Sequence, residues 1–156
     1  MRNEQVRSRS VNVAIGFLLV LALLAPGVAT DHARAATGSN RVEQMLTITN
    51  EDRLHHDRRA LRLNARLSRY AERHSRAMAD AGYLFHTPDL ADKLDGLNWS
   101  LGGENVGVGS SLADLEEAFM ASPPHRRNIL QRRFDYAAIG IVQSAGRLWV
   151  TVIFYG

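Results

Sequence analysis

Residues 138–155, AIGIVQSAGRLWVTVIFY, decide the fold class of this chain. Two apolar runs, Ala138 to Val142 and Leu148 to Tyr155, flank Ser144-Ala145-Gly146. Such runs around a short Gly-containing segment predict a β-hairpin. In the second run, Leu148, Val150, Val152 and Phe154 alternate with Trp149, Thr151, Ile153 and Tyr155. Successive side chains of a strand point to opposite faces, so this strand is largely apolar on both. A strand of that kind belongs inside a sheet covered on both sides.

Upstream the period changes from two to that of a helix. Val42, Met45, Leu46 and Thr49 recur at helical spacing and predict a first helix over about 41–56. Asn64 suits the N-cap of a second helix. Its inner face is Leu67, Tyr70, Ala71, His74, Ala77, Met78 and Ala81, and Gly82 is its stop. Thr87-Pro88 predicts the start of a short third helix that ends near Gly96. Residues 97–109 are rich in Gly and Asn, with Val106 and Val108 alternating as in a brief strand. Ser111 predicts a cap for a helix through about Met120, with Leu112, Leu115, Ala118 and Phe119 inward. Ser122-Pro123-Pro124 ends that helix, caps and starts a last one through Leu130. Helices able to cover both faces of a small, mainly antiparallel sheet imply an α+β protein, a three-layer α–β–α sandwich.

The N-terminal segment reads as an export signal. Arg2, Arg7 and Arg9 precede an apolar run from Val11 to Ala25, and Ala33-Arg34-Ala35 forms a small-x-small cleavage site. The run is shorter than the roughly 20 residues that span a bilayer, so no stable membrane span is expected after cleavage. The expected organisation is a signal peptide over 1–35, a short linker over 36–42 and one domain over 43–156. Setting residues 1–35 aside removes four Arg and two acidic residues, leaving 15 basic against 14 acidic side chains. That near balance provides no electrostatic footprint for nucleic acid. The chain has no Cys, which excludes a thiol nucleophile, a Cys-based zinc site and an iron–sulfur cluster. Any metal must be held by His, carboxylate and water.

Three residues in Gly-, Pro- and Asn-rich segments are candidates for chemistry: His86 in YLFHTP, Glu104 in GGENVGVG and His125 in ASPPHRRNIL. Imidazole and carboxylate move protons or bind metals near neutral pH. Their spacing matches no local metal motif, and two such His taken alone are more often structural than ligands. Glu104 either faces a cavity or accepts backbone N–H bonds that fix its loop. His125 stands near a helix N-terminus, where the dipole disfavours an imidazolium and favours the neutral form that ligates metal. Asn128 can orient a loop or a water. His74 lies on the apolar stripe of its helix and reads as a core histidine, whereas His55 and His56 read as surface.

The segments Asn50-Glu51-Asp52-Arg53, Leu61–Asn64, His74-Ser75, Phe85-His86, Gly103-Glu104-Asn105-Val106, Ser122–Leu130 and Gly140-Ile141 occur in an order that resembles the CAP superfamily. This superfamily, also called SCP-like, comprises cysteine-rich secretory proteins, antigen 5 and plant pathogenesis-related proteins. The likeness covers about residues 43–156 and is greatest to its cysteine-free bacterial branch. The resemblance implies an α–β–α sandwich with a central cavity lined by two His and two acids, the His pair binding zinc in several members. By motif position His86 and His125 correspond to the two histidines and metal ligands, and Glu104 to the first acid. Phe119 stands where other members have Trp, and Ser122 where they have the second acid. A Zn²⁺ site of two His, one Glu and water is therefore expected to be weaker and more open.

Two function classes follow. The first is a secreted binding domain whose cavity, formed by His86, Glu104, Ser122, His125 and Asn128, takes a metal and a small lipid, glycan or peptide at the cell envelope or outside the cell. The second is a metal-assisted, peptidase-like hydrolase with Glu104 as general base. No G-x-S-x-G nucleophile segment is present. The sequence pattern specifies no oligomeric state.

Overall fold

The computed structural model describes residues 26–156; the basic and apolar stretches of the expected signal peptide, residues 1–25, lie outside the described residues. The helices are α1 (Pro26–His55), α2 (Ala65–Ala81), α3 (Leu90–Leu94), α4 (Leu112–Ala121) and α5 (Pro123–Ile129). The strands are β1 (Arg62–Leu63), β2 (Gly102–Gly109), β3 (Tyr136–Ser144) and β4 (Arg147–Tyr155). The first helix begins well before Arg41, so residues 36–42 are helical here. Among the described residues no helix is long and apolar enough to cross a membrane.

The sheet has the order β1-β3-β4-β2, with β1 parallel to β3 and the other pairs antiparallel. The doubly apolar strand β4 is thus interior. Leu148, Val150, Val152 and Phe154 pack with Met45 of α1, Leu112, Leu115 and Phe119 of α4, and Ile129 of α5. On the other face, Ile153 and Tyr155 pack with Leu67 and Ala71 of α2 and Leu94 of α3, while Trp149 packs with Met78 and Val106. The result is the α–β–α sandwich that the alternation predicts, with α1, α4 and α5 on one face and α2 and α3 on the other. Full burial of each large apolar side chain contributes roughly 1.5–3 kcal/mol, which is what makes one register of β4 decisive.

Local chemistry fixes the helices on this frame. Asn64 caps α2 by accepting the Leu67 N–H at 3.0 Å and donates its own amide to the Tyr155 hydroxyl at 2.8 Å. Gly82 closes the helix in the left-handed conformation, φ 77°, its N–H bonded to the Met78 carbonyl. Ala77 and Ala81, expected on the inner face, are exposed, because the helix meets the sheet along Leu67, Ala71, His74 and Met78. The closest approach is at Gly140 of β3, where a Cβ would overlap the backbone of Ala71 and Glu72. Ser75 donates to the Gly140 carbonyl at 2.9 Å, and Ser68 accepts the Ile139 N–H at 3.0 Å. His74 is buried as expected, 3.2 Å from the Thr151 hydroxyl.

Three local expectations differ from the structure. The third helix starts at Leu90, and Asp89 precedes it in the left-handed region (φ 52°) without a side-chain cap bond. Thr87 is instead buried against Glu104. On α4, which Ser111 caps through the Asp114 N–H, Ala118 is exposed and Glu116 is buried. Ser122 does not cap α5 with its side chain, because the hydroxyl faces His125.

Candidate functional site

Glu104 lies on β2, an edge strand, with its carboxylate buried. Its Oε2 accepts from His86 Nδ1 and from the Thr87 N–H, each at 2.8 Å, and its Oε1 accepts the Thr87 hydroxyl at 2.5 Å. The acid is therefore fully engaged in holding the 86–87 segment. The His86 side chain is 64% exposed. In the neutral tautomer that donates Nδ1–H to the carboxylate, Nε2 is the unprotonated nitrogen, the arrangement by which a carboxylate orients a metal-binding or proton-accepting imidazole.

The second histidine comes from the opposite layer. His125 is in the first turn of α5; its Nδ1 is 2.9 Å from the Ser122 hydroxyl and its ring is 5.1 Å from that of Phe119. Pro123 and Pro124 lack the N–H groups a helix start would otherwise leave open, so Ser122 is available to the imidazole. Burial, and secondarily the nearby charge of His86, hold the His125 pKa below the usual histidine value. The neutral imidazole is the form retained through neutral pH.

Two asparagines lock α5 to the edge strand. Asn128 donates to the Glu104 carbonyl at 3.0 Å and to Asn105 Oδ1 at 2.9 Å, and Asn105 donates to the His125 carbonyl at 3.2 Å. Gly103 makes this approach feasible, since a Cβ there would stand 2.8 Å from Asn128 Oδ1. The structure thus joins His86 to Glu104, His125 to Ser122, and Glu104 to Asn128 through its backbone.

Sequence reasoning missed Thr87, whose resemblance to a helix cap concealed its role, and Arg53. The latter is buried at the end of α1 and donates to the carbonyls of Arg59, Ile129, Gln131 and Phe134, tying the C-terminus of α5 to α1. Burial, then neighbouring Arg58, lowers its pKa to about 10, so it remains charged at neutral pH. Its position four residues after Thr49 on the inner stripe of α1 was the available signal. His56, expected at the surface, is half-buried; its Nε2 accepts from Arg126, and Nδ1–H donates to the Asp52 carbonyl.

Glu116 is buried but faces α1, with Thr49 and Asp52 as its neighbours. It does not complete the His86–Glu104–His125 set. Glu117 is exposed. A separate groove of about 500 Å³ lies between α1, α2 and β3, lined by Val42, Leu63, Arg69, Glu72, Ile139 and Ile141 among others. None of the three candidate residues lines it, and among the described residues its walls carry no histidine.

The sequence profile of the cysteine-rich secretory protein family, CAP, matches residues 46–154. The chain belongs to this family. The match takes in all three candidate residues and all of the strands but Tyr155, the last residue of β4. The domain is 29% identical over 114 residues to the uncharacterized protein YkwD of Bacillus subtilis, covering 69% of this chain and 44% of that protein. It superposes on an extracellular protein containing a SCP domain from Bacillus anthracis with TM-score 0.67 and 24% identity, covering 76% of this chain and 41% of the other. An outer surface protein of Borrelia burgdorferi gives TM-score 0.67 and 15% identity, covering 74% of this chain and 92% of the other. The chain spans less than half the length of the two Bacillus relatives. The chain has no Cys, so it is a CAP domain of the cysteine-free type.

Proposed function

We propose that this CAP domain acts outside the cell as a binding domain, taking a divalent metal at His86 and His125 together with a small lipid, glycan or peptide of the cell envelope. The observation that carries the reading is the Nδ1 contact made by each imidazole, to Glu104 and to Ser122, which orients both rings and leaves Nε2 uncommitted on each. Two neutral imidazoles with water suit Zn²⁺, and when bound the metal would supply a Lewis-acidic point for an oxygen ligand. Two protein donors are fewer than a catalytic zinc site usually has, so the affinity should be modest. Export is supported by the signal-like N-terminal sequence and by the extracellular and outer surface relatives.

The hydrolase reading with Glu104 as general base is less well supported, because both carboxylate oxygens already accept hydrogen bonds from His86 and Thr87. The orienting role uses those bonds; the base role would have to break them.

Isothermal calorimetry with Zn²⁺ tests the metal claim. Uptake near neutral pH should be lost in His86→Ala and in His125→Ala. Uptake by both variants equal to that of the parent would overturn the assignment of these ligands.

A further inference from the structure

We propose that the outer face of α2 docks this domain on an anionic phospholipid bilayer. Arg66, Arg69, Arg73 and Arg76 follow one another at steps of three, four and three residues, and all four are exposed. At 100° per residue they occupy about 80° of arc. That arc is opposite the face formed by Leu67, Ala71, His74 and Met78, so the guanidinium groups point away from the sheet. Arg62 of β1, also exposed, extends the series toward the chain start.

Helix stability does not account for this stripe. Cations near the helix N-terminus oppose the dipole, and like charges three and four residues apart repel. The first turn of α2 carries no acid and the last turn no base, the reverse of the stabilising arrangement. Only Arg76 has a carboxylate, Glu72 at 3.5 Å; Arg66, Arg69 and Arg73 form no ion pair among the described residues. Asp80 ends the stripe, and the exposed Asp89, Asp92 and Asp95 near α3 are not paired with it. Lys93 lies over the Tyr70 ring that Arg73 also approaches, widening the positive surface. A local arrangement that opposes its own helix marks a place where an external partner supplies the compensation.

The groove between α1, α2 and β3 identifies the partner. Arg69 stands among its lining residues with Glu43 and Glu72, beside apolar Val42, Leu63, Ile139 and Ile141, and Glu72 is the carboxylate paired with Arg76. The apolar part of this lining fits the hydrocarbon of an amphiphile, and the unpaired arginines of the stripe fit its phosphate. A soluble polyanion would use the charge alone. A flat bilayer surface engages the whole stripe at once, and neither feature involves His86, Glu104 or His125.

Vesicle co-sedimentation of the full chain tests the proposal, comparing phosphatidylcholine vesicles with mixed phosphatidylcholine–phosphatidylglycerol vesicles. Arg66→Gln/Arg69→Gln/Arg73→Gln should reduce partitioning to the anionic vesicles on the order of a hundredfold, and added salt should weaken binding of the parent. The charge-matched control Arg127→Gln/Arg132→Gln/Arg147→Gln, at other exposed positions, should retain most of the binding. Both variants keep the N-terminal apolar run, so its own affinity for lipid cancels in the comparison. Removing the like-charge contacts should leave thermal stability unchanged or raised. Equal partitioning of parent and stripe variant, equal loss in the control, or binding to inorganic polyphosphate with none to anionic vesicles would each overturn the proposal.

Discussion

Thr87 gives Glu104 two hydrogen bonds, one from its backbone N–H at 2.8 Å and one from its hydroxyl at 2.5 Å, and so fixes the carboxylate that orients His86. Position 87 therefore governs the site without touching either histidine's free nitrogen. Thr87→Val keeps the shape and removes the hydroxyl donor from a buried charged acceptor. A loss of about 1.5–3 kcal/mol is expected, read by urea denaturation. Thr87→Ser should recover most of it, whereas a valine variant as stable as the parent would show that the hydroxyl bond contributes nothing net.

The lowered pKa of His125 is testable by proton NMR of its ring. Its titration midpoint should lie below the ordinary histidine value of 6.5, because burial and then His86 disfavour the charged form. His86→Ala should move the midpoint back up only in part, since burial is the larger cause. By linkage, a depressed folded pKa contributes stability that is present above the unfolded value and is lost as pH falls through the folded one. Competition between protons and metal at this ligand should set in at correspondingly low pH.

Glu116 has the opposite sign. Burial, its main cause, raises the pKa from 4.5 to about 7, the nearby Asp52 adds to the rise, and Thr49 partly opposes it. The folded state holds the proton more tightly than the unfolded chain. Its stabilising effect is full below pH 4.5 and is lost as pH rises through about 7. The swing is about 3 kcal/mol. Denaturation of the parent at pH 5 and pH 8 should reveal it, and Glu116→Gln should flatten the profile and stabilise the protein at pH 8. A variant that keeps the parent's profile would assign the pH dependence elsewhere.

Arg53 holds four backbone carbonyls, including that of Ile129 at the end of α5. Arg53→Met fills space but leaves these acceptors without their donor, at a cost of about 3 kcal/mol or more. Amide exchange in α5 should accelerate along with the drop in stability, because the helix that carries His125 loses its tether. A uniform destabilisation without extra exchange in α5 would assign Arg53 to the core at large.

These residues mark where the sequence could be read and where it could not. The two faces of β4 were legible because period-two alternation maps directly onto the two layers. Asn64, Gly82 and Ser111 were legible because caps are local. Thr87 was not: Thr-Pro carries the same local signature whether it starts a helix or, as here, bonds a carboxylate 17 residues away. Glu116 and Arg53 sat at correct inward spacing, at Leu112 plus four and Thr49 plus four, yet their charge argued against burial. The candidate histidines were found through ordered family segments, since a separation of 39 positions matches no local spacing.

The edge position of β2 has a consequence for how occupancy would be felt. Side chains of a strand alternate, so Glu104 with its partner His86 belongs to the layer of α2, while Asn105 reaches α5 and the His125 carbonyl in the other. The two helical layers are otherwise joined mainly through the sheet between them. A guest gripped by both imidazoles would act as a clasp across that border. It would raise the melting temperature by mass action and slow amide exchange along β2.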